Sequence, residues 1–97
     1  MEVSRLKRGQ IVLSKAGRDF GRYLIVLSCD ESGIYVADGK ERPIERPKRK
    51  NPKHLDATNQ CLSEENFATN RAARKSLQVA AYQMKLLKGE KICLKKI

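Results

Sequence analysis

Gly9-Gln10-Ile11-Val12-Leu13-Ser14-Lys15-Ala16-Gly17-Arg18-Asp19-Phe20-Gly21-Arg22-Tyr23-Leu24-Ile25-Val26-Leu27 is the stretch on which the fold turns. Two apolar runs, Ile11–Leu13 and Tyr23–Leu27, flank a segment bearing Gly17 and Gly21, which predicts strand, glycine loop, strand. Arg18 and Arg22 stand either side of the loop centre. Glycine there admits positive φ and lets a partner approach a main chain with no Cβ in the way. Such a loop suits a backbone or a phosphate, and it also suits a plain turn.

Working outward, Tyr23-Leu24-Ile25-Val26-Leu27 is apolar almost without break, which predicts a central strand covered on both faces. Asp30-Glu31-Ser32-Gly33 is a turn cluster. Ile34-Tyr35-Val36-Ala37 follows as a strand with Ile34 and Val36 on one face and Tyr35 and Ala37 on the other. Asp38-Gly39 then closes it. A meander this small shields both faces only by curling and pairing with more strands. Arg42–Glu45 and His54–Ala57 are the predicted fourth and fifth strands, with Pro43 marking the fourth as an edge. The expected fold is mainly β: a small five-stranded SH3-like barrel, domain 1–58, followed by a C-terminal α-helix in a helical extension and basic tail, 59–97.

Charge sets the next constraint. Lys and Arg number 21 against 11 Asp and Glu, a formal net charge of +10. An excess of that size on a short chain attracts polyanions, above all nucleic acid, with an anionic membrane as rival. From Lys40 to Lys53 there are seven cations (Lys40, Arg42, Arg46, Lys48, Arg49, Lys50, Lys53) against Glu41 and Glu45, a net of +5. Pro47 and Pro52 bracket Lys48-Arg49-Lys50-Asn51, so this basic segment is expected as an extended loop in solvent. A basic arm, Arg5, Lys7 and Arg8, precedes the first strand.

Beyond Asn59 the helix-forming residues Ala, Leu, Gln, Arg and Lys take over. Thr69 or Asn70 is the expected N-cap of a helix running to about Leu87. Ala73, Leu77, Ala80, Ala81 and Met84 make one apolar stripe, expected to pack on the barrel. Arg71, Arg74, Lys75 and Lys85 lie on the other side, either as a solvated face or as a secondary RNA contact. The tail Glu90–Ile97 alternates weakly, as a strand or a frayed end.

No catalytic constellation emerges, so no enzyme activity is expected. His54 has no nucleophile beside it in any recognisable pattern, and the adjacent acid pairs sit at turns and a helix start. Cys29, Cys61 and Cys93 are widely separated and far from His54, which predicts free, mostly buried thiols rather than a metal site. No cofactor is expected. The start Met1–Arg5 has no apolar signal region and no window is apolar enough to span a bilayer, so the expected location is the cytoplasm.

Taken in order, these residues resemble the KOW motif: Gly9–Leu27, then Ile34-Tyr35-Val36-Ala37-Asp38-Gly39, the basic Arg42–Lys48, and Lys53-His54-Leu55. The continuation is similar to that of KOW proteins related to the large-subunit ribosomal protein family L-fourteen-e and to short bacterial KOW RNA-binding proteins. The likeness covers about residues 5–58. It implies binding to ribosomal or other structured RNA through Gly17, Gly21 and the neighbouring cations. The expected function is therefore a non-catalytic, ribosome-associated RNA-binding protein, monomeric when free, with ribosomal proteins as further partners and no membrane. Its RNA-binding residues would be Gly17, Arg18, Gly21, Arg22, Lys40, Arg42, Arg46, Lys48, Arg49, Lys50 and Lys53. The alternative is an SH3-like protein-interaction module serving as an accessory factor of transcription or translation.

Overall fold

A computed structural model describes residues 6–87, with side chains as far as Met84. The tail 88–97 with Cys93, the arm as far as Arg5 and the side chain of Lys85 fall outside the described residues. The chain forms five antiparallel strands in one sheet and one C-terminal helix. The strands are β1 (Gln10–Ser14), β2 (Tyr23–Asp30), β3 (Gly33–Ala37), β4 (Lys48–Lys50) and β5 (Leu55–Cys61), in the order β4-β3-β2-β1-β5. Short 3₁₀ turns, Pro52–His54 and Glu64–Phe67, precede β5 and the helix α1 (Asn70–Leu87).

Strand β2 holds the centre because both its faces are apolar. Leu24 and Val26 point to one side with Val12, Ile34, Val36 and Leu55. Ile25 and Leu27 point to the other, where they meet Ile11, Ala37, Phe67 and the helix residues Ala73, Leu77, Ala80 and Met84. The two clusters are the alternation of a strand made visible. The predicted apolar stripe of the helix is the buried face, with Ala81 at its margin. Strands and helix thus share one core across the predicted boundary at residue 58, and β5 itself runs on to Cys61.

The fourth strand is not the predicted one. Arg42–Glu45 is a turn segment: the Asp38 carboxylate accepts hydrogen bonds from the amides of Lys40 and Arg42, and Pro43 has no amide for a ladder. The basic segment expected as a free loop supplies β4 instead, with Lys48, Arg49 and Lys50 opposite Val36, Tyr35 and Ile34. A short edge strand rich in cations is a common way to keep an open edge from pairing with other chains. His54, expected inside the fifth strand, ends the 3₁₀ turn before it, and its carbonyl accepts the amide of Lys15.

The sheet is strongly curled. Strand β4 stands three places from β1, about 14 Å in a flat sheet, yet the Lys50 ammonium lies 3.1 Å from the Ser14 hydroxyl of β1. Only a sheet bent towards the Leu24–Val26 face brings them together.

Thr69 caps the helix, accepting the Ala72 amide on its side chain and the Ala73 amide on its carbonyl. Asn70 is then free to tie the helix to the turn after β3: its side-chain oxygen accepts the Ile44 amide at 2.7 Å and its amide group donates to Glu45.

Candidate nucleic-acid interface

The glycine loop between β1 and β2 is built from two overlapping turns. The amide of Phe20 donates to the Gly17 carbonyl, and that of Arg22 to the Asp19 carbonyl. Gly17 and Gly21 both stand at φ +85°, a conformation that strains any residue with a Cβ. Nothing lies within 4 Å of where a Gly21 Cβ would sit, so that position is glycine for its backbone angle and leaves open space in front of it.

Lys50 pins this loop from the far strand. Its ammonium donates to the Asp19 carboxylate at 2.9 Å, to the Ala16 carbonyl at 2.9 Å and to the Ser14 hydroxyl, and the residue is only 7% exposed. Ser14 donates in turn to Asp19. Burial alone pushes the Asp19 carboxyl up, but the hydrogen bonds from Lys50 and Ser14 with the ammonium charge outweigh it, leaving the group below its ordinary value. The second Asp19 oxygen is buried with no hydrogen-bond partner. Lys50, expected among the phosphate contacts, is therefore turned inward and spent on the loop. The lysine and the loop do meet, but as framework.

The other expected site residues fall into three groups. Arg22 is exposed but paired, 3.1 Å from Glu41 and 4.0 Å from Asp38. Arg18, Lys40, Arg46 and Lys53 are exposed and Arg42 and Lys48 half-buried, and none makes an ion pair among the described residues. Arg49 leans the other way, donating to the Ser32 carbonyl at the β2–β3 turn. The glycine loop and the Lys48–Lys53 run thus share a buried joint through Lys50. What adjoins the loop in the open is the helix: Gly21, Arg22, Lys40, Arg74 and Gln78 line one concavity.

Three features escaped the sequence. Phe20 stands 69% exposed at the loop tip. Arg8 is not a free arm residue: its guanidinium bridges Glu64, donates to the Leu27 carbonyl and lies 5.2 Å over the Phe67 ring. Cys61 is exposed and Cys29 half-buried, so neither described thiol is buried as expected, because Cys61 ends the edge strand β5 and Cys29 lies near the end of β2. For Phe20 the available signal was its place between two glycines, which marks a loop.

No protein-family model and no curated protein matches the chain. No helix among the described residues is long and apolar enough to cross a membrane.

Proposed function

We propose that this protein is a non-catalytic RNA-binding protein of the KOW type, with its curled sheet an SH3-like barrel, that binds structured RNA, ribosomal RNA first, through phosphate contacts. One observation carries this: seven of the nine acids among the described residues, all but Glu31 and Glu65, are engaged within the fold, while most of the cations have no carboxylate partner. Asp19, Glu41, Asp56 and Glu64 pair with Lys50, Arg22, Lys15 and Arg8, whereas Asp30, Asp38 and Glu45 accept from backbone or amide groups. Arg18, Lys40, Arg42, Arg46, Lys48, Lys53, Arg71, Arg74 and Lys75 remain without a carboxylate partner among the described residues. A surface of that sign favours polyanions, and an exposed Phe20 between Arg18 and Arg22 adds an apolar face for a base. The resemblance of Gly9–Leu55 to the KOW motif points to ribosomal RNA among the polyanions.

The test is a titration of ribosomal RNA fragments at several salt concentrations, with sedimentation of a lysate to see whether the protein travels with the large subunit. Affinity should fall steeply and log-linearly with salt. Salt-independent or absent binding would sink the proposal. Val79 and Tyr82, half exposed on the helix, favour a second role as a protein-interaction module. Specific capture of one protein by a sample that ignores RNA would support that role instead.

A further inference from the structure

We infer that Lys40 and the first turns of the helix form a composite site for adjacent phosphate groups, separate from the glycine-loop tip. Sequence position assigns Lys40 to one basic run and Arg71, Arg74 and Lys75 to another. In the fold these four and Gln78 line one concavity of about 310 Å³. None of the four cations has a carboxylate within 4.0 Å among the described residues. Asp38, which lines the adjoining concavity, is occupied by the amides of Lys40 and Arg42 on one oxygen and faces Arg22 at 4.0 Å on the other.

The juxtaposition is built rather than incidental. At Gly39 (φ +79°) a Cβ would stand 2.3 Å from the Asn70 carbonyl oxygen and 3.0 Å from the Arg74 nitrogen, so only glycine lets the turn press on the helix backbone. Asn70 locks the same contact by holding the Ile44 amide and Glu45. Lys40 is thereby set beside Arg74. Four like charges held together in one hollow repel one another, and a ligand with more than one anionic group relieves that repulsion. Successive phosphates of an RNA backbone or a free pyrophosphate carry the required chemistry. The inference rests on the proposed RNA function for the source of the phosphates, not for the geometry. Because the concavity shares Lys40, Arg74 and Gln78 with the one reaching Gly21 and Arg22, an RNA strand seated here would be led to the glycine loop.

The test titrates inorganic pyrophosphate into labelled protein at constant ionic strength, followed by amide NMR, alongside binding of a ribosomal RNA hairpin. Pyrophosphate should shift residues 39–42 and 70–78. Lys40→Gln with Arg74→Gln should lower the salt slope for RNA by about 2, with affinity falling roughly eightfold per cation at about 0.1 M salt. Gly39→Ala, which keeps every charge, should weaken both ligands. If Gly39→Ala does not fold, the double variant, altered only at exposed positions, carries the test. No pyrophosphate shifts there together with unchanged RNA affinity in the double variant would overturn the site and leave the RNA proposal standing. Shifts with pyrophosphate in a protein that binds no RNA would support the site and overturn the RNA function. Shifts with unchanged RNA affinity would support a site for phosphates from another source.

Discussion

Two junctions in this small protein handle basic residues in opposite ways. Where β4 meets the glycine loop, Lys50 crosses the curl of the sheet and gives its charge to Asp19 in a buried pair. Where the turn after β3 meets the helix, Lys40 and Arg74 come together with no carboxylate within ion-pair distance of either among the described residues, and both are exposed. The residue types are alike, and the difference lies in whether an acid waits on the other side. Asp19 makes Lys50 part of the framework, and its absence leaves the second junction free to bind.

The sharpest way to break this comparison is to remove Lys50. Lys50→Met strands the Asp19 carboxylate in a buried site, and loss of one partner of such a pair costs about 3–5 kcal/mol. Urea denaturation at neutral pH should show that loss, while Lys48→Met on the same strand should stay within about 0.5 kcal/mol. Equal effects would erase the distinction. Replacing both partners, Lys50→Met with Asp19→Leu, should recover much of the stability, since an apolar pair needs no ionic partner.

The sign of the pH dependence separates the same two cases. In the native protein Asp19 titrates below its unfolded value, so its contribution is fully present above about pH 4, the unfolded Asp value. It is lost as pH falls through the lower folded value. In Lys50→Met, burial prevails and raises the carboxyl, so the damage should be largest at neutral pH and shrink on acidification. Denaturation midpoints at pH 7 and pH 4 give the comparison directly, and a variant that suffers more at pH 4 would contradict it.

At the second junction, Asn70→Ala removes the bonds to Ile44 and Glu45 and should cost about 1–2 kcal/mol, with weaker RNA binding because Lys40 loses its register. Glu45, held below the ordinary carboxylate range by the Asn70 amide, should titrate higher in that variant by NMR. The smallest stability effect belongs to Phe20→Ala, within about 0.5 kcal/mol because the residue is mostly exposed in the folded protein. Its effect should appear in affinity for RNAs with unpaired bases and not for fully paired ones.

The first three strands were legible because glycine and apolar runs are local signals, and so was the helix stripe from Ala73 to Met84. The position of β4 was not. Its ladder to Val36, Tyr35 and Ile34 depends on pairing with a distant strand, and Lys48-Arg49-Lys50 carries no alternation of apolar and polar residues. The inward turn of Lys50 was hidden for a related reason: Asp19 lies 31 residues away, and charge runs show no geometry. The outward turn of Phe20 was not legible either, because its place between Gly17 and Gly21 marks a loop and says nothing about which way the tip points.

The Lys50 clamp also bears on the order in which the molecule assembles. The loop's own turns are local and can flicker early, but the ammonium that fixes them arrives from 34 residues beyond Ala16. Contacts of that separation are slow to close and are made only once the intervening strands are in place. The loop should therefore set after the β1–β2–β3 meander, with the amide of Gly21 gaining hydrogen-exchange protection only as β4 docks, so that the tip carrying Phe20 becomes rigid later than the strands that bear it.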